Sequence, residues 1–147
     1  MPAHNTLSET ILSNAQIILE DEVVRGTLVL RDGKIAEIDL SGTSVTMAED
    51  LGGGFVAAGL IELHTDNLER HLEPRPGVHW PKGPAVLAHD AEMAGCGVTT
   101  VFDAMRVGSL LTGRGKYAPF ARGLADHLLS FIHDDKLKIK HLIHLRA

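Results

Sequence analysis

Aromatic residues make up only 4% of this 147-residue chain, so aliphatic side chains must fill any core. Cysteine occurs once, as Cys96, which excludes an internal disulfide and fits a reducing cytosol. Within Ala94-Gly95-Cys96-Gly97 it reads as a small buried thiol rather than a nucleophile. Positive charge is in the minority: 14 Lys and Arg stand against 19 Asp and Glu, for a net charge of -5. That balance argues against a broad nucleic-acid-binding face, because phosphate neutralisation needs clustered cations. No apolar run approaches the roughly 18–20 residues of a membrane span. The start of the chain is polar (Asn5, Ser8, Glu9) and has no basic stretch leading into an apolar one, so no secretory signal is read. The expectation is a cytoplasmic protein with neither nucleic acid nor membrane as a partner.

What is present is more specific. Hydrophobic residues reach 44%, enough for a core, and nine histidines is a high count for this length. The segment Gly59-Leu60-Ile61-Glu62-Leu63-His64-Thr65-Asp66-Asn67 is an apolar run of strand length that ends in a histidine and a carboxylate. In an extended chain, residues two apart share a face, with Cα atoms roughly 6.5–7 Å apart. His64 and Asp66 can therefore reach one divalent cation, each at about 2.0–2.2 Å for zinc. Two ligands are too few for a catalytic metal, and the same spacing also suits an interior histidine followed by a capping aspartate.

Residues 11–40 read as β-structure. Ile11 to Leu19 and Val23 to Leu30 are apolar runs, and Ile35, Ala36 and Ile38 begin a third strand. Asp32-Gly33 between the second and third is a hairpin signal. Gly52-Gly53-Gly54 is a corner, and no Gly-Lys-Ser/Thr follows to make it a phosphate loop. From residue 56 the pattern changes to strand (Leu60–Leu63), polar loop (64–83), helix (about Pro84–Met93) and strand (Val98–Phe102, ending at Asp103). A second helix starts near Pro119, with Phe120, Leu124, Leu128 and Phe131 or Ile132 on one face, and Ile139–Leu145 is a third strand. This order predicts parallel βαβ units. The chain divides into an N-terminal β-part (1–55) and the opening of an α/β domain (56–147). A complete (β/α)8 barrel takes about 250 residues, so the chain is expected to be a portion of something longer.

In such barrels the reactive groups sit at the C-terminal ends of the strands. His64 and Asp66 end the first strand, Asp103 the second, and His144 and Arg146 the third. Arg70, Arg75 and Lys82 follow strand one, and Arg106, Arg114 and Lys116 follow strand two, with His71 and His79 among them. Basic loops on an acidic chain suggest an anionic, phosphorylated substrate. His4, His127 and His133 read as surface or helix-face histidines, and His89-Asp90 lies within the first helix, on the outside of a barrel, with no role assigned.

The Asp-Gly-Lys-Ile hairpin, the glycine corner and Gly-Leu-Ile-Glu-Leu-His together resemble the amidohydrolase superfamily, which pairs a small β-sandwich with a metal-dependent (β/α)8 barrel. Most members carry His-x-His on the first barrel strand, where this chain has His64-Thr65-Asp66. That departure, with Asn67-Leu68-Glu69-Arg70-His71 and Glu73-Pro74-Arg75-Pro76-Gly77-Val78, resembles the phosphonate-metabolism protein M family of the carbon–phosphorus lyase pathway. Gly97 to Ala104, Arg106-Val107-Gly108 and His141 to Arg146 resemble it too. The resemblance implies a diphosphatase acting on α-D-ribose 1-methylphosphonate 5-triphosphate. His64 and Asp66 would be ligands of a divalent metal: zinc, or manganese or iron. Arg70, His71, Arg75, Asp103 and Arg106 would contact substrate, and the general base would lie beyond residue 147. Partners would be a phosphorylated ribose phosphonate, a second copy of the chain, or proteins of the same pathway. The alternatives are a cyclic-amide or deaminase-type amidohydrolase, against which Asp66 and the basic loops argue, and a non-catalytic binding remnant.

Overall fold

The structure, a computed structural model, describes residues 8–42, 46–107 and 121–146, and its contacts divide the chain into two units, Met1–Ala58 and Gly59–Ala147. The division falls three residues after the boundary expected from the sequence. The expected Pro119 and Phe120 helix start, together with Arg114, Lys116, Gly108 and His4, lies outside the described residues.

Unit 1 is a five-stranded sheet. Strand β1 (Glu9–Ile18) pairs antiparallel with β2 (Val23–Arg31), which pairs antiparallel with β3 (Lys34–Asp39). Two short strands, β4 (Glu49–Asp50) and β5 (Phe55–Val56), run parallel to β1. The β2–β3 turn is the expected Asp-Gly pair: Asp32 and Gly33 take φ of 50° and 73°, and Arg31 pairs with Lys34. Positive φ at both central residues is the two-residue turn that matches the twist of its strands. Ala15 and Ile17 alternate inward with Leu28 to form the buried core, joined by Leu30, Ile38, Leu51 and Val56.

Unit 2 is a parallel three-stranded sheet in the order β6 (Leu60–Thr65), β7 (Val98–Arg106), β8 (Lys140–Arg146). The α/β class and parallel sheet are those expected, but three details differ. Strand β7 runs past Asp103 to Arg106. The segment read as a long loop holds a short helix, α1 (Asn67–Leu72). Helix α2 (Lys82–Gly95) starts at Pro81 and ends at Cys96, which is exposed rather than buried. Helix α3 (Ala121–His133) buries Leu124 and Leu128 with Leu68, Val86 and Met105. Phe131 packs on that cluster, while Ile132 is 42% exposed.

A polar group lies inside this interface. His89 and Asp90 of α2, given no role in the sequence reading, are 0% and 2% exposed and face inward from the helix. The physical reason is helical spacing: Val86, His89 and Asp90 lie three and four residues apart and share the buried stripe. Asp103, expected at a strand end, is buried within β7 instead. It accepts hydrogen bonds from both neighbouring imidazoles, His89 Nε2 to Oδ1 and His141 Nδ1 to Oδ2, each at 2.7 Å. His141 Nε2 faces Asp90 Oδ1 at 3.3 Å, and Asp90 also accepts the backbone N–H groups of Lys138 and Ile139. Both ring nitrogens of His141 thus face carboxylate oxygens, and only the imidazolium can donate at both.

Burial, the largest single influence on Asp103, works against its charge. The hydrogen bonds and charges of His141 and His89 together outweigh it and hold the carboxyl below its ordinary range. For His141, burial likewise opposes charge, and Asp103 and Asp90 overcome it and raise the imidazole above its usual value.

Two predictions follow from this packing. A Cβ at Gly59 would lie 2.0 Å from Thr99 Cγ2 and 2.8 Å from Thr99 Cβ, so rotating the threonine side chain cannot clear it. Gly59→Ala should cost about 1–3 kcal/mol by overpacking, read as a lower urea midpoint at 222 nm. Adding Thr99→Ala should recover only part, because its Cβ remains. The second concerns pH. The lowered Asp103 contributes stability above its unfolded value of about 3.9, lost as pH falls through its folded value. The raised His141 contributes fully below about 6.5, and this is lost as pH rises through its folded value. Unit 2 should therefore be most resistant to urea between about pH 4 and 6.5. His141→Gln should flatten the decline above that window, and an unchanged alkaline limb would contradict the assignment.

Candidate functional site

Strand β6 delivers His64 next to its last residue, and the chain turns into α1 at Asp66. Asp66 occupies the N-cap position but makes no side-chain capping bond. Its Oδ2 instead accepts Arg146 Nη1 at 2.6 Å, from the end of β8. The His64 ring meets that of His144 edge-on, with centroids 4.8 Å apart and planes at 84°. Strands β6 and β8 both flank β7, and neighbouring strands are spaced about 4.8 Å apart. Side chains from the outer strands can meet because the β7 residue in register with His144 is the small Ala104. Arg106 is the last residue of β7, in register with Arg146.

Helix α1 adds Glu69, Arg70 and His71 beside these strand ends. The Glu69 carboxyl is pushed up, first by burial and then by the negative charge of Asp66, against the opposing charges of Arg106 and Arg146. Its Oε1 and Arg146 Nη2 are buried without a hydrogen-bond partner. The other basic residues of α1 are tied down. Arg70 Nη1 donates to Asn67 Oδ1 at 2.9 Å, and His71 Nε2 donates to Glu92 Oε2 at 2.7 Å. Glu92 also accepts Asn67 Nδ2 at 2.8 Å, and these two bonds, with Asn67 the larger influence, lower its carboxyl. Arg75 opens an exposed turn in which the Val78 N–H donates to its carbonyl, with Gly77 at φ 75°. His79 is exposed, and Lys82 begins α2 against Gly123.

The structure thus brings together His64, Asp66, Arg106 and the pair His144 and Arg146 at the strand ends, with Arg70 and His71 on the adjoining helix. It leaves Arg75 on a separate turn and removes Asp103 to the helix–sheet interior. Asp103 is enclosed by two histidines and 1% exposed, so it cannot be the substrate contact expected from the sequence. Sequence reading missed Asn67, Glu69, Glu92, His89 and His141. The signal for His141 was parity: it alternates with Ile143 on the helix-facing side of β8, opposite to Leu142 and His144.

Two sets of residues have the chemistry to hold a metal ion. Among the described residues, His89, Asp103 and His141 have ligand atoms all within 4.8 Å of one another. Their 2.7 Å separations suit shared protons. Donors sharing a tetrahedral zinc at about 2.0–2.1 Å stand well over 3 Å apart, so this group must open to admit an ion. His64 and Asp66 offer an imidazole and a carboxylate at exposed strand ends, a donor set that fits a divalent cation in kind. Among the described residues, no third ligand-type side chain groups with them. No described helix is long and apolar enough to cross a membrane.

No protein-family model matches the chain. Among curated proteins it is 44% identical over 103 residues to the alpha-D-ribose 1-methylphosphonate 5-triphosphate diphosphatase of Escherichia coli strain K12, covering 70% of this chain and 27% of that protein. An L-hydantoinase of Paenarthrobacter aurescens is 28% identical over 71 residues, 47% of this chain and 16% of that one. A solved D-hydantoinase superposes with a TM-score of 0.52 at 23% identity, over 94% of this chain and 27% of its own. The L-hydantoinase (dihydropyrimidinase) from Arthrobacter aurescens gives 0.51 at 21%, over 91% of this chain and 27% of its own. The chain therefore spans no more than 27% of these relatives, and the solved structures speak to fold alone. The chain is thus similar in fold to the hydantoinases and, over 103 residues, similar in sequence to a phosphonate-metabolism diphosphatase.

Proposed function

We propose that this chain forms part of a metal-assisted phosphoanhydride hydrolase that cleaves α-D-ribose 1-methylphosphonate 5-triphosphate to the 5-phosphate and diphosphate. The observation that carries the reading is the meeting of two kinds of group at one end of the parallel sheet. A metal-ligand pair, His64 and Asp66, stands beside Arg106 and Arg146, with Arg70 and His71 on the next helix. The 44% identity to a diphosphatase of that substrate supports the same assignment.

His64 and Asp66 would hold the cation. When bound, a divalent metal polarises a phosphoryl oxygen and lowers the pKa of attached water. The chain's own residues bind and orient the triphosphate. Guanidinium groups match phosphate oxygens through paired, charge-assisted hydrogen bonds, which assigns the anionic contacts to Arg70 and Arg106, with His71 beside them. Asp103 has no part in these contacts. Its place in the interior makes it a support for β7, whose last residue is Arg106.

The test is a chimera in which this chain replaces the matching portion of the Escherichia coli relative. It should release diphosphate from that relative's substrate, detected by phosphorus NMR. His64→Ala or Asp66→Ala should abolish both turnover and stoichiometric zinc. A folded chimera that opens a hydantoin ring but leaves the triphosphate intact would overturn the proposal in favour of a cyclic-amide hydrolase.

A further inference from the structure

Asn67 is the first residue of α1, directly after Asp66, and every polar atom of its side chain is committed. Its Nδ2 lies 2.8 Å from Glu92 Oε2 and 3.3 Å from His89 Nδ1, while Oδ1 accepts Arg70 Nη1 at 2.9 Å. An amide has two N–H donors and one carbonyl acceptor. Two acceptors on one side and a guanidinium on the other therefore fix which way it points. His89 is fixed in turn. Its Nε2 donates to the buried Asp103 at 2.7 Å, which leaves Nδ1 as the acceptor for Asn67. The second basic residue of the helix, His71, is held on the same carboxylate that holds Asn67. Exposed ion pairs alone contribute little and wander. This one is anchored, through Asn67, to His89, which is 0% exposed.

We infer that Asn67, held by His89 and Glu92, is a positioning residue that sets the direction of Arg70 toward an anionic substrate. The inference rests on the proposed phosphate role of α1. It explains why an asparagine stands where α1 begins: aspartate would repel Glu92, and an apolar residue would leave Arg70 and His89 without their partners. The physical route is a chain of bonded side chains running from Asp103 in the interior, through His89 and Asn67, to Arg70.

The test uses the 147-residue chain and inorganic triphosphate, with affinity read by calorimetry. Asn67→Leu is nearly isosteric and leaves charge unchanged. It should weaken binding about ten-fold or more, the scale of a lost hydrogen bond to a charged group. Arg70→Ala should weaken binding similarly, and the double variant should be no weaker than Arg70→Ala alone. Thermal melts of each variant confirm that it is folded. In the unsubstituted chain, nitrogen-15 NMR should show His89 protonated at Nε2 and bare at Nδ1. The Nδ1–H tautomer would overturn the inference whatever the variants do. So would full additivity of the two substitutions, or an Asn67→Leu variant that binds normally while Arg70→Ala does not; in those cases the phosphate role of Arg70 stands. Unchanged binding in Arg70→Ala, or no binding by the unsubstituted chain, would remove the phosphate role and this inference with it.

Discussion

A single buried carboxylate organises unit 2. Asp103 sits between a histidine from α2 and a histidine from β8, each 2.7 Å away. It therefore ties the central strand to the neighbouring strand and to the covering helix at once. Such a group is stable only when its partners are complete. Removing one member of a buried pair typically costs about 3–5 kcal/mol, because the remaining charge stays in the interior uncompensated. Apolar packing supplies most of the adhesion between helices and sheet through Leu68, Val86, Met105, Leu124 and Leu128. Apolar contacts are not directional, however, and would tolerate rotation of α2 by a fraction of a turn. The Asp103 hydrogen bonds would not. They specify which face of α2 meets the sheet, and hence where Glu92, one turn beyond His89, emerges.

The two faces of the sheet have separate tasks. On β8, His141 and Ile143 turn toward the helices, while His144 meets His64 on the other side. Alternation with period two lets one strand serve the interior and the strand-end cluster without either set displacing the other. Strand β7 does the same. Asp103 and Met105 face the helices, and Ala104, in register with His144, stays small enough for β6 and β8 to touch across it. A larger side chain at position 104 would part the two histidines while leaving the helix side untouched.

Much of this was legible in the sequence, and the exceptions have a common cause. The Asp32-Gly33 turn, the βαβ order and the strand-end place of His64 each rest on local chemistry: positive φ, period and length. Leu124 and Leu128 were found by helical spacing for the same reason. The misplaced residues were those whose position depends on partners far along the chain. Asp103 was read as a strand end because a charged residue rarely continues a buried strand. It continues here because His89 and His141, 14 and 38 residues away, neutralise it. His89 and Asp90 were placed in the outer helix and given no role, although their spacing from Val86 turns them inward. Cys96 was judged by residue type, whereas its place at the end of α2 exposes it. The helix α1 was hidden because six residues with only Leu68 buried carry almost no periodic signal.

The electrostatics of the strand ends bear on how a cation and an anion would share them. Asp66 is already paired with Arg146, and Glu69 lies close enough to Asp66 for the two charges to disfavour each other. A divalent ion on His64 and Asp66 would take over the neutralisation that Arg146 now provides. It would also relieve the repulsion that raises Glu69. The Arg146 guanidinium, with one buried nitrogen lacking a partner, would then have donors to offer elsewhere. Metal and polyanion would thus reinforce each other without any movement of the strands, since the ion that claims Asp66 releases a cation to the same end of the sheet. The interior carboxylates Asp103 and Asp90 are engaged by His89, His141 and backbone N–H groups, so their charge is met inside the scaffold and not at the strand ends where Arg106 and Arg146 stand.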